Sequence, residues 1–124
     1  MPRLAVLAAV SLLAVLPASP TAASGPEAGA ARGCNIKGQQ DNLGTTYVIN
    51  LRVRGASCAN GKKVVRGYHS CRRKNGGRDG RCRTRVFGYV CSERRLNVIP
   101  SQYDARVRCK RSGREIFHRY TQNT

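Results

Sequence analysis

From Thr46 to Arg54 apolar and polar side chains alternate, with Tyr47, Ile49, Leu51 and Val53 on one side and Thr46, Val48, Asn50, Arg52 and Arg54 on the other. A period of two predicts a half-buried strand, and Val48 is the one residue out of place on its polar face. The period then changes. Val64, Val65, Tyr68 and Cys71 recur at helical spacing after Ser57, whose hydroxyl suits an N-cap, and before Asn75, Gly76 and Gly77, which end helices. A helix over residues 58–74 is predicted. Gly61 and Gly67 inside it each cost about 1 kcal/mol relative to Ala, so packing and a link at Cys71 must hold it. Lys62, Lys63, Arg66, Arg73 and Lys74 fill its solvated surface.

Residues 75–84 form a glycine-rich basic loop anchored at Cys82, followed by a second strand over Arg85 to Cys91 whose heavier face is Phe87, Tyr89 and Cys91. Residues 92–104 read as a polar connection stopped by Pro100. The C-terminus is a hairpin: Ala105, Val107 and Cys109 alternate with Arg106, Arg108 and Lys110, and Ser112 and Gly113 form a two-residue turn. Pairing outward from that turn sets Lys110 opposite Glu115, Cys109 opposite Ile116, Val107 opposite His118 and Ala105 opposite Tyr120. One face then collects apolar groups. His118 points inward, and Arg106, Arg108, Phe117 and Arg119 point outward. The sum is an α+β fold in the order β-α-β-β-β, one helix packed on a small, mainly antiparallel sheet of about four strands.

The N-terminus has a different character. Arg3 precedes a run from Leu4 to Leu16 that is apolar except for Ser11, followed by Pro17, Pro20 and the small residues Thr21, Ala22 and Ala23. This is the plan of a secretory signal, with cleavage expected near Ala23. The run is too short to span a bilayer core of roughly 30 Å, which takes about 20 residues. Residues 24–33 lack periodicity and large apolar groups and are expected to be a disordered lead-in. Residues 34–124 then make a single small basic domain, secreted and extracellular, and a monomer.

A core of that size is thin, and six cysteines in an exported chain predict a disulfide framework. Zinc is a poor alternative, because no Cys-x-x-Cys pair occurs and neither His69 nor His118 has a second histidine at ligand spacing. No cofactor is expected. The direction of travel along the elements suggests Cys58 with Cys91, Cys71 with Cys82 and Cys34 with Cys109, although six cysteines allow many connectivities and the sequence does not choose among them.

Ser57-Cys58-Ala59 opening a helix after a strand, then Gly88, Tyr89 and Cys91, then Val107-Arg108-Cys109 and the closing Phe117 to Tyr120 resemble a loose group of small exported cysteine-rich bacterial proteins. The resemblance spans roughly residues 46–121. It implies a shared scaffold and assigns no catalytic or binding residue. Asn60 and Gly61 depart from it, standing where a better helix former is expected.

Charge is the strongest chemical signal. Lys and Arg number 23 against 6 Asp and Glu, a formal +17, and removing the signal takes away only Arg3. Clusters at Arg72 to Lys74, Arg78 to Arg85, Arg94 and Arg95, and Arg106 to Arg114 attract polyanions: a wall polymer, anionic lipid or nucleic acid. Tyr47, Phe87, Tyr89 and Tyr120 fall on core faces, which leaves Phe117 as the exposed ring. The candidate binding residues are therefore Arg78, Arg81, Arg83 and Arg85 of the loop, with Arg106, Arg108, Phe117 and Arg119 of the hairpin. A solvated basic surface, with Phe117 covered by residues 92–104, explains the same composition.

Two other classes compete. An inhibitor or protein-partner module would present the loop 75–84. A small secreted ribonuclease would need two imidazoles acting across a phosphodiester, but His69 stands about 100° round the helix from the core stripe while His118 points inward, so they need not meet. No Gly-x-Ser-x-Gly elbow, spare thiol or phosphate-cradling glycine motif is present. No catalytic residue is assigned.

Overall fold

The computed structural model describes residues 29–124. The expected signal segment and residues 24–28 of the lead-in lie outside the described residues. Strands β1 (Arg32–Gly33), β2 (Tyr47–Arg54), β3 (Val90–Ile99), β4 (Gln102–Arg111) and β5 (Arg114–Asn123) form one antiparallel sheet in the order β1-β2-β5-β4-β3. Helix α1 (Cys58–Lys74) packs on one face. The α+β architecture follows the periodicity, with five strands in place of about four.

Helix α1 has the predicted bounds. The Ser57 hydroxyl accepts from the Asn60 amide at 3.1 Å, satisfying an N-terminal donor that would otherwise be orphaned. Its two internal glycines are contact points. A Cβ on Gly61 would stand 2.7 Å from Val53 Cγ1, and one on Gly67 would stand 2.6 Å from the Phe87 ring and 2.8 Å from Val86 Cγ1. The lost propensity is thus exchanged for close approach of the helix to β2 and to the 86–89 turn.

Strand β2 departs from its alternation. The pairing with β5 slips between Val48 and Asn50, and this bulge reverses the facing of the residues before it. Val48, Leu51 and Val53 are buried, whereas Tyr47 and Ile49 are exposed. Val48, the misfit in the pattern, is the signature of the bulge. The second strand also begins later than expected. Phe87 and Gly88 both have positive φ, and Val86 and Tyr89 exchange backbone hydrogen bonds at 2.9 Å, which closes a two-residue turn. That turn leaves Phe87 51% exposed and Tyr89 buried, so Phe87 belongs to no core face.

The expected connection over 92–104 is mostly strand. β3 continues to Ile99, turns at Pro100-Ser101 and returns as β4. The C-terminal hairpin has the predicted register at all four expected pairs.

Three disulfides form: Cys34–Cys58, Cys71–Cys82 and Cys91–Cys109. Only Cys71–Cys82 matches the expected set; the pairs Cys58–Cys91 and Cys34–Cys109 are not made. The reason is topological. β3 lies directly against β4, which makes Cys91 and Cys109 cross-strand partners. The N-terminal arm runs back along β2, with the Cys34 amide on the Leu51 carbonyl at 2.8 Å, and so arrives beside the start of the helix. Arg32 and Gly33, expected within the unstructured lead-in, are part of that pairing. Among the described residues no helix is long and apolar enough to cross a membrane.

Candidate functional site

The two faces of the sheet carry different chemistry. On the inner face, beneath α1, side chains expected to be apolar or solvated form a polar network. Arg72, read as part of a surface cluster, is 0% exposed. It donates to the Gly80 carbonyl at 3.2 Å, to the Arg78 carbonyl at 2.7 Å, to His69 Nδ1 at 3.0 Å and to the Tyr103 hydroxyl. Its countercharge is Glu93, whose side chain is 4% exposed and whose carboxylate lies 3.7 Å from Arg72 Nε. Tyr68 and Tyr120 donate their hydroxyls to Glu93, and Arg95 donates at 2.7 Å. Burial alone would raise the Glu93 pKa, but these hydrogen bonds and the Arg95 charge outweigh it and hold the group below the usual carboxylate range.

His69 and His118, which their sequence positions did not require to meet, do so: their Nε2 atoms are 3.0 Å apart and both residues are buried. His69 lies within the core-facing side of α1, which is wider than the Val64, Val65, Tyr68 and Cys71 stripe and includes Arg72. An arginine can only donate, so His69 Nδ1 accepts, His69 Nε2 carries the proton and donates to His118 Nε2, and the remaining proton sits on His118 Nδ1. That last atom has no hydrogen-bond partner. Burial pushes His118 down to about 3 and, with the neighbouring His118 and Arg72, lowers His69 well below its ordinary value. Two neutral imidazoles walled in by Tyr68 and Tyr120 are core components. They lack the exposure that general acid and base work on a polymer requires.

On the outer face the register sets residues of four strands in rows. One row runs Asn50, Arg119, Arg106, Arg94; the next runs Arg52, Phe117, Arg108, Ser92. Adjacent strands stand about 4.8 Å apart, so Arg119, Arg106 and Arg94 are like charges in directly opposing positions, an arrangement that costs stability. Acids are few. Glu115 pairs with Arg54 and Arg108 and lies 3.8 Å from Lys110, and Asp104 holds Arg119 at 3.3 Å. Against the cost of burial, Arg108, Arg54 and Lys110 hold the Glu115 carboxyl below its usual range. Among the described residues Arg52, Arg94 and Arg106 form no ion pair. The Nε donors of Arg54 and Arg119 are buried without a partner.

The residues of the two rows, with Arg54, line a groove of about 760 Å³ that also takes in Ala30 and Ala31 of the N-terminal arm, where Arg52 donates to the Ala31 carbonyl at 3.0 Å. Phe117 lines it, half-buried, with the guanidinium carbons of Arg54 and Arg108 at 5.6 and 5.5 Å from the ring centroid.

Of the residues expected to bind, Arg106, Arg108, Phe117 and Arg119 come together here. Arg78, Arg81, Arg83 and Arg85 do not line this groove. Their loop follows the helix; Arg81 lies 3.4 Å from Glu93, and Arg85 donates to Gly88 and lines a separate cleft with Arg54, Lys110 and Glu115. The loop is also less free than a presented segment would be, since Arg72 and Arg95 donate to its carbonyls at Arg78, Asp79 and Gly80. Residues 92–104 do not cover Phe117; they form β3 and its turn into β4. The candidate binding residues read from the sequence omit Arg52, Arg54 and Arg94, although Arg94 stands in one of the basic clusters. The first two stood on the polar side of the alternation, and their significance required knowing that β2 pairs with β5. Arg94 was hidden by taking its strand for a connection.

No protein-family model, curated protein or solved structure matches this chain.

Proposed function

We propose that this is an exported, non-enzymatic protein that binds polyanions through the outer face of its sheet. One observation carries the reading: Arg119, Arg106 and Arg94 occupy directly opposing positions on three neighbouring strands, and among the described residues Arg119 alone of the three has a carboxylate partner, Asp104. Such a row is costly when empty and complementary to a row of anions. The unpartnered donors of Arg54 and Arg119 in the same groove point the same way. Three disulfides suit an oxidising destination.

The test uses the disulfide-bonded chain lacking residues 1–23, with inorganic polyphosphate as probe and affinity followed against sodium chloride. Binding through several arginines releases counterions, so the logarithm of affinity should fall steeply and linearly with the logarithm of salt. Replacing Arg94 and Arg106 together by Gln should weaken binding about tenfold or more and flatten that slope. Replacing Arg78 and Arg83 by Gln, off this face, should change it little. Binding that ignores salt, or that responds to the loop pair and not to the strand pair, overturns the reading.

A further inference from the structure

Resting on that reading, we infer that the groove takes single-stranded nucleic acid, with a base against Phe117 and phosphates on the surrounding arginines. The first ground is the kind of cation present. Among the described residues every cationic side chain lining the groove is an arginine and no lysine lines it. A polymer recognised by charge alone is served equally by ammonium groups. Guanidinium planes add bidentate phosphate contact and a surface on which a base can stack.

The second ground is the ring. Among the described residues Phe117 is the one Phe, Tyr or Trp lining the groove, and its cross-strand neighbours on either side, Arg52 and Arg108, are charged. A phosphate or wall polymer without π-faces makes no use of it, whereas every nucleobase does.

The third ground is how charge is divided across the groove. Arg54 and Arg108, beside the ring, share the single carboxylate of Glu115, so their charge is halved and together with Phe117 they form a stacking surface less charged than the arginines around it. Arg52, Arg94 and Arg106, with no ion pair among the described residues, lie around it on neighbouring positions. Unpaired cations around a partly neutralised pair of guanidinium planes match a strand whose phosphates run along a line of exposed bases. A duplex fits poorly, because its bases present their faces to one another and not to a protein ring.

The experiment measures fluorescence anisotropy of a labelled twelve-residue oligothymidine with the disulfide-bonded chain lacking residues 1–23, at about 0.15 M salt. Unlabelled oligothymidine, the same sequence as a duplex, and inorganic polyphosphate of equal charge serve as competitors. Single-stranded DNA should compete at least tenfold better than either alternative. Phe117→Leu should weaken oligothymidine binding about tenfold with the salt slope and polyphosphate affinity unchanged, and Phe117→Tyr should restore it. If polyphosphate or duplex competes as well as the single strand, or if Phe117→Leu is silent while the variant keeps the parent's circular dichroism, the inference fails and the polyanion reading stands. If neither probe binds at low salt, both fail together.

Discussion

The two faces of this sheet handle arginine in opposite ways. Inside, Arg72 is enclosed by four named acceptors and a buried carboxylate. Outside, Arg94 and Arg106 stand side by side without an acid. Burial explains the first, since a charge removed from water must be paired and hydrogen-bonded or it is not tolerated. Solvent permits the second and does not explain it. The difference teaches where composition is informative: positive charge beneath the helix is committed to the fold, and positive charge on the open face remains available to a ligand.

Acid should expose this contrast most strongly. His118 stays neutral in the folded chain down to about pH 3 and titrates near 6.5 when unfolded. Above pH 6.5 both states are neutral and the group adds no pH dependence. Below it the unfolded chain takes up a proton that the buried ring refuses, so stability falls steadily and the loss reaches about 5 kcal/mol near pH 3. His69 acts in the same direction. Glu93, with a lowered pKa, contributes stability that is present above about 4.5 and lost below it. Urea midpoints of the disulfide-intact chain from pH 7.5 to 3 should drop continuously from about 6.5. A flat profile to pH 4 would mean that the imidazoles are not shielded.

Glu93→Ala should come next. It strands Arg72, Arg95 and the hydroxyls of Tyr68 and Tyr120 together, and removing one partner of a buried pair costs about 3 to 5 kcal/mol. For a domain of this size 1 kcal/mol shifts the melting temperature by about 4 to 8 °C, so thermal melting should fall by well over 10 °C. Gly67→Ala should cost less, about 1 to 3 kcal/mol, because its Cβ would meet Phe87 and Val86, and it should do so although Ala is the better helix former. A stabilised Gly67→Ala protein would show that the 86–89 turn yields freely.

What was legible in the sequence was whatever a single period expresses. Helix α1 and the 105–121 hairpin announce themselves through spacing, caps and a turn. What was not legible depended on partners remote in sequence. The bulge in β2 was visible only as Val48 on the wrong face. Because β3 alternates with few large apolar groups, it passed for a connection, and with it went the adjacency that joins Cys91 to Cys109. The inner network was hidden for a related reason: Arg72 lies in a basic run, and nothing local says that Glu93, remote in sequence, comes to meet it. Arg106, Arg108, Phe117 and Arg119 of the candidate face followed from the hairpin alone. The rest, Arg52, Arg54 and Arg94, required the strand order.

The smallest effect is the most discriminating, because its sign should reverse. Arg106 has Arg94 on one side and Arg119 on the other; like charges directly opposite destabilise a sheet by about 0.2 to 1 kcal/mol. Arg106→Thr removes that repulsion, keeps a residue suited to strands and disturbs no ion pair found among the described residues. Its urea midpoint at low salt should therefore rise slightly above the parent's, and the gain should fade as added salt screens the charges. Polyphosphate affinity should fall in the same variant. A surface arginine kept against its own stability and lost at the cost of binding is the behaviour of a ligand contact; if Arg106→Thr instead destabilises the chain, the outer row is structural and the distinction between the two faces dissolves.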